Sequence, residues 1–76
     1  MDQKLINRLS RLEGQLKKLH QNIEEDKDCS SVIVQFMAVK GALAGAYEEY
    51  VKLSLDSCAR NDKEKMQKLI SLLVRN

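Results

Sequence analysis

A chain of 76 residues with 13 basic and 11 acidic side chains, three glycines, no proline and no tryptophan is one small domain of helix-forming composition. At that length a single chain struggles to bury enough apolar surface by itself, so an all-α protomer that completes its core by oligomerising is expected. The formal charge of +2 names no partner. No segment approaches the roughly 18 uninterrupted apolar residues of a membrane span, and "MDQKLINRL" lacks the apolar core of a signal peptide. The expectation is a cytoplasmic protein without membrane contact.

From Leu5 onward, apolar residues fall at Leu5, Leu9, Leu12, Leu16, Leu19 and Ile23, alternating steps of four and three. This is a heptad-like seam, and it predicts a first helix from Asp2 or Gln3 to about Glu24. "EEDKD" is a short polar connector, with Asp28 placed to cap the next helix. That second helix is expected from Cys29 to about Ser57. It carries Ile33, Phe36, Val39 or Lys40, Leu43, Tyr47, Tyr50 or Val51, and Ser54 at helical spacing. Its β-branched start, "SSVIV", makes a strand the competing local reading, but no second strand exists to pair with it. Gly41, Ala42, Ala44, Gly45 and Ala46 keep its middle slim enough for close approach of another helix. "ARND" breaks the pattern, and Asn61 or Asp62 can cap a third helix from about Lys63 to Val74. That helix gathers Met66, Leu69, Ile70 and Leu73 on one side. No repeat or linker divides residues 1–76, so a single domain is expected.

The two cysteines, Cys29 and Cys58, bracket the most apolar segment. Along one helix they lie roughly 43 Å apart, whereas a disulfide needs Cα atoms within about 7 Å. Two copies of this helix packed antiparallel would bring Cys29 of one chain beside Cys58 of the other, twice per dimer. The plainer alternative is that each cysteine is a small buried hydrophobe.

A second pattern lies beside the leucine seam. Lys4, Arg8, Arg11 and Lys18 fall at helical spacing, Gln15 completes the row, and Lys17 flanks it. Up to Ile23 there are five basic residues against two acidic ones. Such a stripe is commonly a plain solvated face. Repeated by symmetry it becomes a positive surface suited to phosphates. No aromatic residue lies in it, so stacking on unpaired bases is not expected. His20 reads as an ordinary, partly exposed helix residue, Tyr47 and Tyr50 as interface packing, Met37 and Met66 as packing, and Glu48, Glu49 and Asp56 as surface carboxylates. With no phosphate-cradling glycine loop and no Ser-His-Asp set, an enzyme is not expected.

Taken together, "INRLSRLEGQLKKL…IEEDKDC…VQFMAVKGAL…C" resembles the CsoR/RcnR family of small helical bacterial repressors over nearly the whole chain. The matching pieces are Asn7–Gln15, Glu24–Cys29 and Phe36–Leu43. The resemblance implies a three-helix protomer, an antiparallel four-helix-bundle dimer, and a homotetramer built as a dimer of dimers. It implies operator double-stranded DNA as partner, bound without a helix-turn-helix and released when an inducer reacts at the cysteines. It carries Arg8 over as a DNA contact, with Arg11 and Lys40 as weaker assignments. The basic residue that some members hold further along the second helix is Gly45 here. Metal-sensing members place a histidine one turn before the second cysteine, where this chain has Ser54, a poor partner for a soft ion. Both thiols without that histidine resemble the CstR branch, which senses persulfides and related reactive sulfur. The expected inducer is then a small-molecule persulfide or polysulfide bridging Cys29 and the partner's Cys58, with no cofactor and no resident metal. A Cu(I) repressor using the two thiolates is the alternative, and a helical interaction module without a DNA role is the third reading.

Overall fold

The computed structural model describes residues 2–58 and 60–75, and for Cys58 the backbone alone. Three helices follow one another: α1 (Gln3–Glu24), α2 (Cys29–Leu53) and α3 (Lys63–Arg75), with a π-turn, Ser54–Cys58, continuing α2. No strand occurs among the described residues; "SSVIV" is helical.

Each boundary has a local cause. The Asp2 carboxylate accepts from the backbone N–H of Lys4 at 2.8 Å and opens α1. At the other end the N–H of Lys27 donates to the carbonyl of Asn22 and that of Asp26 to Ile23. Asp26 itself takes the left-handed conformation, φ 53°. This is a Schellman close with aspartate where glycine is usual. Asp28 caps α2 as expected, accepting from the Ser31 N–H at 3.3 Å and from the Ser30 hydroxyl. Of the two candidate caps for α3 it is Asp62 that accepts, from the Lys65 N–H at 3.0 Å. The expected plain helix to Ser57 is corrected at Ser54, where the backbone widens into the π-turn. There the Ser57 hydroxyl donates to the Leu53 carbonyl at 2.7 Å, the back-bonding by which serine disturbs a regular ladder.

α1 and α2 form an antiparallel hairpin. Leu12, Leu19 and Val39 make its core, with Val32 and Ala42 packed against it. Leu5 and Ala46 are buried nearer its far end. The expected single seam of α1 divides in two. Leu5, Leu12 and Leu19 are 3–6% exposed, whereas Leu9, Leu16 and Ile23 remain 37–48% exposed. On α2 the expected apolar face is mostly the uncovered one. Ile33, Phe36, Leu43, Tyr47 and Tyr50 stand open, and the line touching α1 is slimmer: Val32, Gln35, Val39, Ala42 and Ala46.

The molecule measures 50 × 28 × 15 Å with a Cα radius of gyration of 16.3 Å, against about 11 Å for a compact chain of this length. Its accessible surface is 6320 Å², roughly 1,600 Å² more than a compact monomer of this mass. By length and composition Cys29–Ser57 is apolar enough to cross a membrane. It also carries Lys40, Glu48, Glu49, Lys52 and Asp56, and Gln35 lines the groove with α1.

Candidate nucleic-acid interface and thiol positions

The row of basic residues lies along the groove of the hairpin. Arg8, Arg11 and Gln15 join Leu12 and Ala42 around a cleft of about 340 Å³. One turn further, Gln15 and Lys18 join Gln35, Ala38 and Val39 around a second of about 140 Å³. As α1 ascends α2 descends, so Arg8 stands over Gly45, Arg11 and Leu12 over Ala42, and Lys18 over Gln35. Small side chains on α2 leave the groove open, and the long cations of α1 overhang it. Arg8 to Lys18 covers about 15 Å of helix. Three cationic heads and one amide in line can meet several phosphates in succession.

Not every residue of the expected set is here. Lys4 is exposed one turn before Arg8 and lines neither cleft. Lys40 is exposed on the other side of α2, where helical spacing puts it between Phe36 and Leu43; the fold does not bring it to the α1 row. Two participants escaped sequence reasoning. An ideal Cβ at Gly45 would lie 3.2 Å from Arg8 Nη1, while Gly14 and Gly41 meet nothing within 4 Å. The Gln35 Oε1 is buried without a hydrogen-bond partner. Its signal was present: a lone amide in the line Val32, Gln35, Val39, Ala42. Gly45 stood out only as the position where some members of the resembling family hold a basic residue; its contact with Arg8 comes from the tertiary structure.

Cys29 is the first residue of α2 and within the single chain it is exposed. The hydrogen bond from the Ser30 hydroxyl, and then that from the Ser31 N–H, hold the Asp28 carboxyl below the usual carboxylate range. A fixed negative charge therefore precedes the thiol. The side chain of Cys58 lies outside the described residues; its backbone closes the π-turn. Within that turn Ser54 is buried, 5% exposed. With Tyr47, Tyr50, Val51 and Leu55 it faces Leu69, Leu72 and Leu73 of α3 across an apolar cavity of about 200 Å³. His20 is exposed and lies 3.4 Å from the Glu24 carboxylate one turn on. Among the described residues no three His, Cys, Asp or Glu side chains gather as a metal-binding group.

A family model described as "Metal-sensitive transcriptional repressor" matches residues 1–75. The chain is also similar to the transcriptional repressor RcnR of Escherichia coli (strain K12) and to that of Citrobacter koseri, and to an RcnR homolog of Escherichia coli O139:H28. Each is 36% identical over 50 residues, 66% of this chain. The match spans little more than half of those relatives, 56% of their length. On the extent of the family match, this all-helical chain belongs to the metal-sensitive transcriptional repressors.

Proposed function

We propose that this chain is a cytoplasmic repressor that holds operator double-stranded DNA against the Arg8–Arg11–Gln15–Lys18 row and lets it go when its thiols react. Lys4 extends the row by one turn toward the start of α1, while Lys40 lies apart from it on the open face of α2. The observation that carries the reading is the row itself, overhanging the α1–α2 groove in a chain of a repressor family. Assembly is part of it. The surplus surface of about 1,600 Å² is twice the roughly 800 Å² per partner of a standard interface, and the uncovered leucines of α1 and aromatics of α2 supply apolar area. An antiparallel four-helix-bundle dimer, doubled into a tetramer, buries both faces and presents the basic row four times.

In that dimer Cys29 of one chain meets Cys58 of the other. The Cys29 thiolate takes the outer sulfur of a low-molecular-weight persulfide and releases the corresponding thiol. The partner's Cys58 then attacks the Cys29 sulfur, hydrosulfide leaves, and a disulfide joins the protomers; the persulfide is the oxidant consumed. A longer polysulfide bridge forms if further persulfide is spent. Moving an operator tenfold in affinity takes only about 1.4 kcal/mol of difference between the two states. A covalent link between helices exceeds that readily.

The second reading, a Cu(I)-responsive repressor using both thiolates, is favoured by the family's description as metal-sensitive and by the tolerance of Cu(I) for two sulfur ligands. Exposure to glutathione persulfide, followed by mass spectrometry under non-reducing conditions, separates the two. A protomer-to-protomer link with loss of DNA supports the sulfur reading. An unmodified chain that releases DNA on stoichiometric Cu(I), titrated against a competing chelator, supports the metal. Binding to no duplex at any salt concentration overturns both.

A further inference from the structure

Of the three glycines, only Gly45 has a side-chain atom within 4 Å of where its Cβ would be, and that atom is Arg8 Nη1. Both residues are half-buried, and Arg8 belongs to the cleft it shares with Arg11, Leu12, Gln15 and Ala42. Ala38, Ala42 and Gly45 follow one another at helical spacing on α2: Ala38 shares a cleft with Lys18, Ala42 one with Arg8 and Arg11, and Gly45 lies beside Arg8. The basic row therefore borders a slim line of the neighbouring helix, and at Gly45 an ideal Cβ would stand 3.2 Å from Arg8 Nη1. A methyl group at 3.2 Å from the guanidinium nitrogen is tighter than an ordinary van der Waals contact. The arginine head, as the flexible partner, has to yield.

We propose that Gly45 is a positioning residue for DNA binding: by having no side chain it seats the Arg8 guanidinium in the cleft, beside Arg11 and Gln15, with the orientation that meets a phosphate. This rests on the reading of the α1 row as the DNA-contacting surface. It adds that α2, which carries Cys29 at its start, also sets the position of the principal arginine. Helix propensity and positioning then pull in opposite directions. Alanine in place of a helical glycine strengthens the helix, so a merely structural Gly45 gives a variant that melts no lower and binds DNA as before. A positioning Gly45 gives a variant that melts no lower and binds DNA more weakly.

The experiment compares the wild type, Gly45→Ala, Gly45→Leu, Arg8→Ala and the two double variants in the full chain, on a duplex enriched from a randomised pool with the wild-type protein. Circular dichroism and sedimentation establish that each variant retains its helices and its assembly state. The expected result is a drop of about threefold for Gly45→Ala and tenfold or more for Gly45→Leu, with a shallower salt dependence as Arg8 engages its phosphate less. In the Arg8→Ala background neither substitution at Gly45 has a further effect. Wild-type affinity and salt slope in Gly45→Ala and Gly45→Leu overturn the proposal, as does an equal drop with and without Arg8. If Arg8→Ala itself binds like the wild type, the DNA-contact reading fails instead, and the two failures are told apart.

Discussion

Two lines of apolar residues run down α1, each with a seven-residue step. Leu5, Leu12 and Leu19 are sealed against α2, whereas Leu9, Leu16 and Ile23, a fraction of a turn away, keep over a third of their surface in water. Their chemistry is nearly the same. The difference lies in what faces them: Val39, Ala42 and Ala46 on one side, nothing from the same chain on the other. A basic row borders the sealed line on its opposite flank. α1 is thus a helix with three edges, one sealed against its own chain, one apolar and open, and one basic, and single substitutions can separate them.

The sharpest contrast comes from Leu12→Ala beside Leu16→Glu. Removing Leu12 opens a cavity in the hairpin core and should cost about 2–5 kcal/mol of unfolding free energy, read by denaturant titration. Leu16→Glu should leave α1 helical but drop the assembly state, which sedimentation would follow. If both variants lose stability alike with no change of assembly, the two edges are not distinct. Arg8→Ala tests the third edge. DNA affinity should fall by about tenfold or more and the logarithmic salt slope by about 0.9 for each phosphate no longer neutralised, with the melting temperature unchanged.

Smaller effects test the ends of the hairpin that hold these edges in register. Asp28→Ala removes the α2 cap and should lower the melting temperature by a few degrees. Because its hydrogen bonds hold the Asp28 carboxyl below the usual range, its contribution is present above the unfolded value of about 3.9. It is lost as pH falls through the lower folded value. An acid titration of wild type against Asp28→Asn should therefore diverge above that window and converge below it. Smallest of all, Asp26→Gly relieves a left-handed aspartate and should stabilise by about 0.5–1 kcal/mol. Reduced stability there would mean that the Asp26 side chain has a role beyond the turn.

Much of the scaffold was legible because its determinants are local. The extent of α1, the Asp28 cap and the start of α3 all derive from heptad spacing and capping residues. Partners were harder to read. Periodicity makes Leu5 and Leu9 both apolar positions, and cannot say which is covered within the chain. On α2 large side chains draw attention to Ile33, Phe36 and Leu43, yet the hairpin is closed by Val32, Val39, Ala42 and Ala46. Slimness is what lets helices approach. The π-turn from Ser54 goes with a back-bond from the Ser57 hydroxyl to the Leu53 carbonyl that many helical serines do not make. Of the candidate site, Arg8, Arg11, Gln15 and Lys18 are legible as one row because they share a helix. Lys40 stands apart from them, and Gly45 was marked only by the missing basic residue and not by its contact with Arg8, because the place of each depends on how α2 turns against α1.

The central claim is that a thiol from each of two antiparallel chains shares one pocket. It is tested most directly by mixing protomers carrying Cys29→Ser with protomers carrying Cys58→Ser and treating them with glutathione persulfide. Non-reducing electrophoresis should reveal a covalent dimer in the mixture, held by the one remaining Cys29–Cys58 pair, and none in either variant alone. Linked dimers in either variant alone, or no link in the wild type, would contradict the account.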